Sequence, residues 1–466
     1  MTCTIKIRED LNPTSLEWSD TVHRFTPVAS ASESWYTSIE KLDIKELRNR
    51  IEPWLTALFQ SEHLSLLVGS GLTRSIATIA GVTAAGMNRV DFKNKYHSAI
   101  SKRSEESAKK AGRKNPNIED DIRSASELLV GLKITEDPEA VEVEKELNSI
   151  LEGFAKSILE GENKILTASE DKKREAFNYL ISFLMSFASR SGTRDRLHIF
   201  TTNYDRIIEE GADLAGIHLI DRFVGSLNPI FRASRLDIDM HYNPPGIRGE
   251  PRFLEGVAKY TKLHGSVDWV QNRDVIRRIG LPLGAEDIAP FFEAPGFSGL
   301  NPLQLMIFPN SAKDKETSMY PYVDLFRDFA AAICRPNSTI ITFGYSFGDD
   351  HINRVIEDML TIPSTHLAVI SYSDPQGQIM EMYGKTSRKN QISLLIGEQF
   401  GALKPLVDNY LPKSSIDRNT TVMYEILRSR HTTDVPAATV APSASSTPVA
   451  SATSSIAPSI SSPATT

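Results

Sequence analysis

Ile340-Ile341-Thr342-Phe343-Gly344-Tyr345-Ser346-Phe347-Gly348-Asp349-Asp350-His351-Ile352-Asn353 is the stretch whose reading decides the fold class. Residues 339–343 are an apolar, β-branched run of strand length. Two glycines and a serine interrupt it, and Asp349 then stands where a helix N-cap stands. Ile352, Val355, Ile356 and Leu360 recur at the spacing of a helix with one buried face. The stretch therefore reads as strand, glycine-punctuated loop and capped helix. Gly344 and Ser346 lie where a ribose or phosphate would pass, while Asp350 and His351 read equally well as polar surface.

The same unit recurs on either side. Apolar runs over 63–68, 197–202, 260–263, 305–308 and 367–372 read as strands, several of them covered on both faces. Helical spacing over 72–79, 206–215 and 351–360 follows three of the strands. Alternation of this kind predicts an α/β fold, a doubly wound parallel (Rossmann-like) sheet with right-handed crossovers. Ligands bind such sheets beyond the carboxyl ends of the strands. Residues 46–380 are read as the ligand-binding domain, with a helical subdomain inserted at about 90–190 and an N-terminal extension over 1–45. A helical extension is expected over 381–435. Residues 436–466 hold only Ala, Ser, Thr, Pro, Val and Ile, a composition that predicts a disordered tail.

Composition narrows the function classes. The 466 residues carry a formal charge of −7, which gives no global reason to expect nucleic acid. The Lys/Arg-rich run 93–114 reads either as a solvated helix face or as a contact with nucleic acid or an acidic partner. Cys3 and Cys334 are the only cysteines, too few for a disulfide framework or a four-cysteine zinc module. The first ten residues are charged where a signal peptide is apolar, and apolar runs fall short of the roughly 20 residues a bilayer span needs. The expectation is a cytoplasmic protein with no membrane span.

Three further strand ends carry candidate chemistry. Val68-Gly69-Ser70-Gly71-Leu72-Thr73 takes a strand into Gly-X-Gly and a helix, a turn that either binds phosphate on backbone N–H groups or is an ordinary turn. It lacks the third glycine of the dinucleotide fingerprint and the Lys of a P-loop. Thr201-Thr202-Asn203-Tyr204-Asp205 puts a carboxamide at a strand end, with Asp205 open to a capping role. Lys262-Leu263-His264-Gly265 puts a histidine at another, either structural or a proton carrier. After the last strand, Asp374 is placed to accept ribose hydroxyls.

Gly-Ser-Gly-Leu-Thr (69–73), Thr-Thr-Asn-Tyr-Asp (201–205), Lys-Leu-His-Gly-Ser-Val-Asp-Trp (262–269) and Gly-Tyr-Ser-Phe-Gly-Asp-Asp-His (344–351) follow successive strands in this order. Together they resemble the sirtuin-like domains of bacterial anti-phage defence proteins, over about 63–374. The resemblance implies that Gly69, Ser70 and Gly71 bind the phosphates of NAD, that Asn203 and His264 are the catalytic pair, and that Gly344 and Ser346 touch the nucleotide. Thr73, Asp205 and Asp374 join these as cofactor-binding candidates. Asn117-Ile118-Glu119-Asp120 also resembles a short acidic motif in the helical part of such proteins. The chain departs from the usual pattern at Ser70 and Thr73, and has Gly81-Val82-Thr83-Ala84 where Gly-Ile-Pro is usual.

The implied activity is metal-free hydrolysis of NAD to nicotinamide and ADP-ribose, as an NAD-depleting effector of defence. Because NAD is an essential pool, control by assembly is expected: a homo-oligomer, a ring-shaped DNA-translocating ATPase partner or another defence subunit. Three alternatives stay open: an NAD-dependent protein deacylase, a non-catalytic NAD- or ADP-ribose-binding regulator, and a nucleic-acid-binding subunit acting through 93–114.

Overall fold

The computed structural model describes residues 2–7, 10–28, 42–84, 86–110, 113, 115–190, 194–234, 236, 239–242, 249, 252–272, 275–297, 304–305 and 320–413. The expected tail at 436–466, and most of the run 305–308, lie outside them.

The predicted apolar runs are strands because both of their faces are covered. β4 (His63–Val68), β5 (His198–Thr201), β11 (Val257–Lys262), β14 (Ser338–Phe343) and β15 (His366–Ser371) all lie in one sheet. Every residue of β14 is buried, as are those of β5. With β6 (His218–Ile220) and β16 (Ile392–Ile396), these strands form a parallel array, β16-β15-β14-β4-β5-β11-β6. β1 (Thr2–Lys6), β2 (Thr14–Ser19) and β3 (Arg24–Pro27) extend it antiparallel beside β16. The sheet therefore has ten strands and is mixed, where the sequence predicts a parallel one. Within 381–435, where helix is expected, the chain also supplies the strand β16.

Helices cover both faces. α1 (Ile44–Phe59), α2 (Gly71–Ala80), α6 (Glu170–Ala188) and α7 (Ile207–Ala215) share one core with β4 and β5, through Leu55, Leu72, Phe183, Phe187 and Ile208. Fully burying side chains of this size contributes roughly 1.5–3 kcal/mol each. The helices Tyr322–Ile333, Asp350–Leu360 and Gln378–Lys385 cover the other face through Phe329, Ile356 and Ile379. α3 (His97–Lys110), α4 (Ile118–Ile134) and α5 (Ala140–Leu166) build a third core, which takes in Tyr204 and Val267 from the strand-end loops. So α6, the last helix of the 90–190 stretch, packs on the sheet, while α3–α5 stand over its strand ends. β7 (Phe223–Val224), β8 (Ile230–Phe231), β12 (Trp269–Asn272) and β13 (Val275–Arg278) form a small antiparallel sheet. β9 (His241–Tyr242) and β10 (Arg252–Phe253) pair separately.

Register decides where the site falls. Phe343 pairs with Val68, Val68 with Thr201, and Thr201 with Lys262. The carboxyl ends of β14, β4, β5 and β11 are level, so the loops that follow them open side by side. The sheet grows outward from β4 in both directions, to β5 on one side and β14 on the other. The crevice at such a switch point is where doubly wound sheets bind ligands.

Candidate active site at the strand ends

A cavity of about 300 Å³ opens there, at the lower end of the roughly 300–1,000 Å³ common for ligand sites. The four strand-end loops form its floor, and α4 and α5 wall it with Glu119, Asp120, Arg123, Phe154 and Ile158. Of the sequence-predicted residues, Gly69, Ser70, Thr73, Asn203, Asp205, His264, Gly344 and Ser346 all line it.

Asn203 is held by its own carboxamide. Its Nδ2 donates to the Gly69 carbonyl and to Thr73 Oγ1, each at 3.1 Å. Both amide hydrogens are thereby committed, and Oδ1 is left as the acceptor for a ligand. Thr73 passes its own hydroxyl hydrogen to Asp205 Oδ2 at 2.7 Å. Asp205 Oδ1 accepts from the Ile207 amide at 3.2 Å, so Asp205 starts α7 and anchors Thr73 at once. Lys262, 2% exposed, links the next strand end to this loop by donating to the Asp205 carbonyl and, at 3.0 Å, to Glu209. Burial raises the Glu209 carboxyl above its ordinary range, and the Lys262 ammonium opposes that rise.

His264 stands one loop away, 8% exposed, with its Nε2 2.9 Å from Asp349 Oδ2. The two atoms are close enough for a charge contact but are not aligned as a hydrogen bond. Gly265, at φ +88°, lets the chain turn sharply after the histidine. Asp349 also caps the helix Asp350–Leu360, its Oδ1 accepting from the His351 amide at 3.0 Å. The loop carrying Asp349 is braced: Tyr345 Oη donates to Asn353 Oδ1 at 3.2 Å, and Asn353 Nδ2 donates to the Phe347 carbonyl at 2.8 Å. These bonds and the Tyr345–Phe347 ring contact hold Phe347 at φ +58°, unusual for a bulky residue.

The glycine turn packs against the loop that follows β14. The Gly69 amide donates to Phe343 O at 3.0 Å, and the Gly71 amide to Gly344 O at 3.1 Å. A Cβ on Gly71 would lie 2.5 Å from the Gly344 Cα, so these glycines let the two loops touch backbone to backbone. Two of the three amides expected to cradle phosphate are therefore spent within the protein. Gly71 faces Gly344 and does not line the cavity. Asp374 is not brought to the cavity either: its carboxylate accepts from the Ile379 and Met380 amides at 3.3 and 3.0 Å, at the start of the helix Gln378–Lys385.

Several lining residues escape the sequence reading. Tyr204 Oη donates to Glu119 Oε1 at 2.7 Å, and burial, reinforced by Glu119, holds that phenol protonated. Arg206 and Glu162 pair at 2.6 Å below the cavity wall; burial raises the Glu162 carboxyl and Arg206 opposes it. Arg113, part of the basic run, lines the cavity, while Arg103 pairs with Glu127 and Lys95 with Glu139. Asn117 and Asp120 of the acidic motif form a capping box at the start of α4.

Among the described residues no group of three or more His, Cys, Asp or Glu is placed to hold a metal, and no helix is long and apolar enough to cross a membrane. A search of curated proteins found no match. Residues 197–395, which include the Asn203, His264 and Gly344–Ser346 motifs, match the family model described as a SIR2-like domain, a match that supports a sirtuin-like domain there.

Proposed function

We propose that the chain is an NAD glycohydrolase, cleaving the nicotinamide–ribose bond to give nicotinamide and ADP-ribose. The observation that carries this reading is that Asn203 and His264, from adjacent parallel strands, line one cavity with the glycine turn and the Gly344–Ser346 loop. The match to a SIR2-like domain supports an NAD-using enzyme.

The scissile bond joins C1′ to a pyridinium nitrogen, so nicotinamide leaves neutral and needs no general acid. Water adds to C1′, the C1′–N pair departs with nicotinamide, and one proton must be taken from the water. His264 accepts it, and the Asp349 carboxylate 2.9 Å away stabilises the imidazolium that forms. Asn203, its hydrogens committed elsewhere, offers Oδ1 to a ribose hydroxyl or to the water. General-base catalysis contributes roughly 10²- to 10⁴-fold, and positioning adds to that.

Release of nicotinamide from NAD tests the reading, with Asn203→Ala and His264→Ala as probes. Loss of at least roughly 10²-fold in each, with ADP-ribose as co-product, is expected. Undiminished release by either variant removes that residue from the mechanism. Acceleration by an acyl-lysine peptide would point instead to a deacylase. The motif resemblance supports a wider proposal, an NAD-depleting effector of anti-phage defence held inactive until a homo-oligomer or a partner such as a DNA-translocating ATPase switches it on. The assay is therefore run on the chain alone and on any complex that co-purifies.

A further inference from the structure

The spent amides of the glycine turn raise the question of what meets a dinucleotide's negative charge. α4 begins with Asn117, whose Oδ1 accepts from the Asp120 amide at 3.2 Å, while Asp120 Oδ2 accepts from the Asn117 amide at 3.0 Å. This reciprocal cap fixes the Asp120 carboxylate, 1% exposed, and aims its other oxygen at two arginines. Arg113 Nη2 and Arg123 Nη2 bond the same Oδ1, at 2.7 and 3.0 Å. Both arginines line the cavity.

Each guanidinium carries five donors. Among the described residues only one nitrogen of each is spent on Asp120, and Arg113 Nε is buried with no partner. Burial lowers the Arg123 guanidinium from its usual range, and the Arg113 charge acts the same way against Asp120. Asp120 answers only one of the two cations in this partly desolvated wall, with Glu119 and Glu127 also acting on Arg123, and both guanidiniums keep donors to offer an anion. Of the other carboxylates at the cavity, Glu162 is paired with a cation, Arg206, whereas Glu119, Asp205 and Asp349 are held by neutral donors: Tyr204, Thr73 and helix amides.

We propose that Arg113 and Arg123, set by Asp120, form the binding site for the diphosphate of the ligand, beside a glycine turn two of whose three amides are bonded within the protein. The identity of the ligand as NAD rests on the preceding reading; the diphosphate site does not.

Binding of NAD, ADP-ribose, ADP, inorganic pyrophosphate and phosphate-free nicotinamide riboside is measured by calorimetry on the full chain and its Arg113→Ala, Arg123→Ala, Arg123→Lys and Asp120→Asn variants. Circular dichroism and melting establish that each is folded. Losing a charge-assisted contact is expected to weaken diphosphate ligands roughly 10- to 100-fold and to leave nicotinamide riboside unchanged, with Arg123→Lys intermediate. Arg74, exposed at the same cavity, is the control, and Arg74→Ala should change affinity far less. Wild-type NAD affinity in folded Arg113→Ala and Arg123→Ala overturns the site and leaves the enzyme reading intact. Arginine-dependent binding of pyrophosphate or ADP without NAD keeps the site and removes that reading. If the parent chain binds none of the probes, or Arg74→Ala alone carries the loss, the proposal fails.

Discussion

Asp349 performs two tasks with two oxygens, and one substitution separates them. Its Oδ1 accepts from the first amides of the helix Asp350–Leu360, and its Oδ2 lies 2.9 Å from His264 Nε2. Asn at this position keeps a capping oxygen and loses the charge, whereas Ala loses both. Asn and Asp are nearly equivalent N-caps, and Ala costs about 0.5–2 kcal/mol. A polar contact to a charged group contributes roughly 1.5–3 kcal/mol, here to the imidazolium that forms as the proton is taken. An asparagine dipole recovers part of that, so Asp349→Asn should reduce kcat/KM for nicotinamide release roughly 10- to 100-fold, with urea stability within a few tenths of a kcal/mol of the parent. Asp349→Ala should lose at least as much activity and also about 1 kcal/mol of stability. Full activity in Asp349→Asn would show that His264 does not depend on the carboxylate. Equal destabilisation in the two variants would show that the effect is one of capping.

Three further outcomes follow from the packing. Gly344→Ala would place a Cβ 2.6 Å from Gly71 Cα at φ +62°, so urea unfolding should show a loss of at least roughly 2 kcal/mol. Gly348→Ala, whose Cβ meets only side-chain atoms at 3.4 Å and beyond, should be close to neutral for stability. Arg206→Ala strands Glu162, 2% exposed, and should cost about 3–5 kcal/mol; the double replacement with Glu162→Gln should cost less than the two single losses combined. Burial pushes His366 down to about 4, so the unfolded chain takes up that proton first as pH falls. Stability should be insensitive to this group above about pH 6.5 and fall by roughly 3 kcal/mol between there and pH 4, in urea titrations across that range. Fully buried His198, shifted the same way, acts with the same sign. An unchanged acid slope in His366→Gln would discount the assignment.

Strands such as β4 and β14 were legible because an apolar run between turn residues has few other interpretations. The N-terminal strands were equally patterned, with Ile5 and Ile7, then Leu16 and Trp18, alternating into the core, yet nothing local ties them to β16 at the far end of the chain. Strands of two residues, such as β7 and β8, are too short to show a period at all. The site follows the same division. Asp349 as a cap is a local pattern, readable from the residues it precedes; its contact with His264 depends on β14 lying three strands from β11, across β4 and β5, which no spacing records. Asp374 shows the converse, a carboxylate at the right end of a strand whose bonds turn out to be wholly local.

The glycine turn carries the lesson about mechanism. Gly69, Ser70 and Gly71 lie at the switch point, and glycine at 71 admits the Gly344 backbone, whose Cα would stand 2.5 Å from a Cβ there. Closing β14's loop onto β4's loop consumes two amides that an open turn would present, and the proposed diphosphate site draws positive charge from outside the sheet. The chain between β4 and β5 is where it can come from. It leaves the sheet after α2 and rejoins it through α6, and α4 and α5 wall the cavity on the way. Arg113 reads as part of a basic surface run until Asp120 is seen to turn it inward. A charge of −7 overall is then no obstacle to binding a polyanion, because two guanidiniums gathered on one buried carboxylate act at short range, where net charge has little weight.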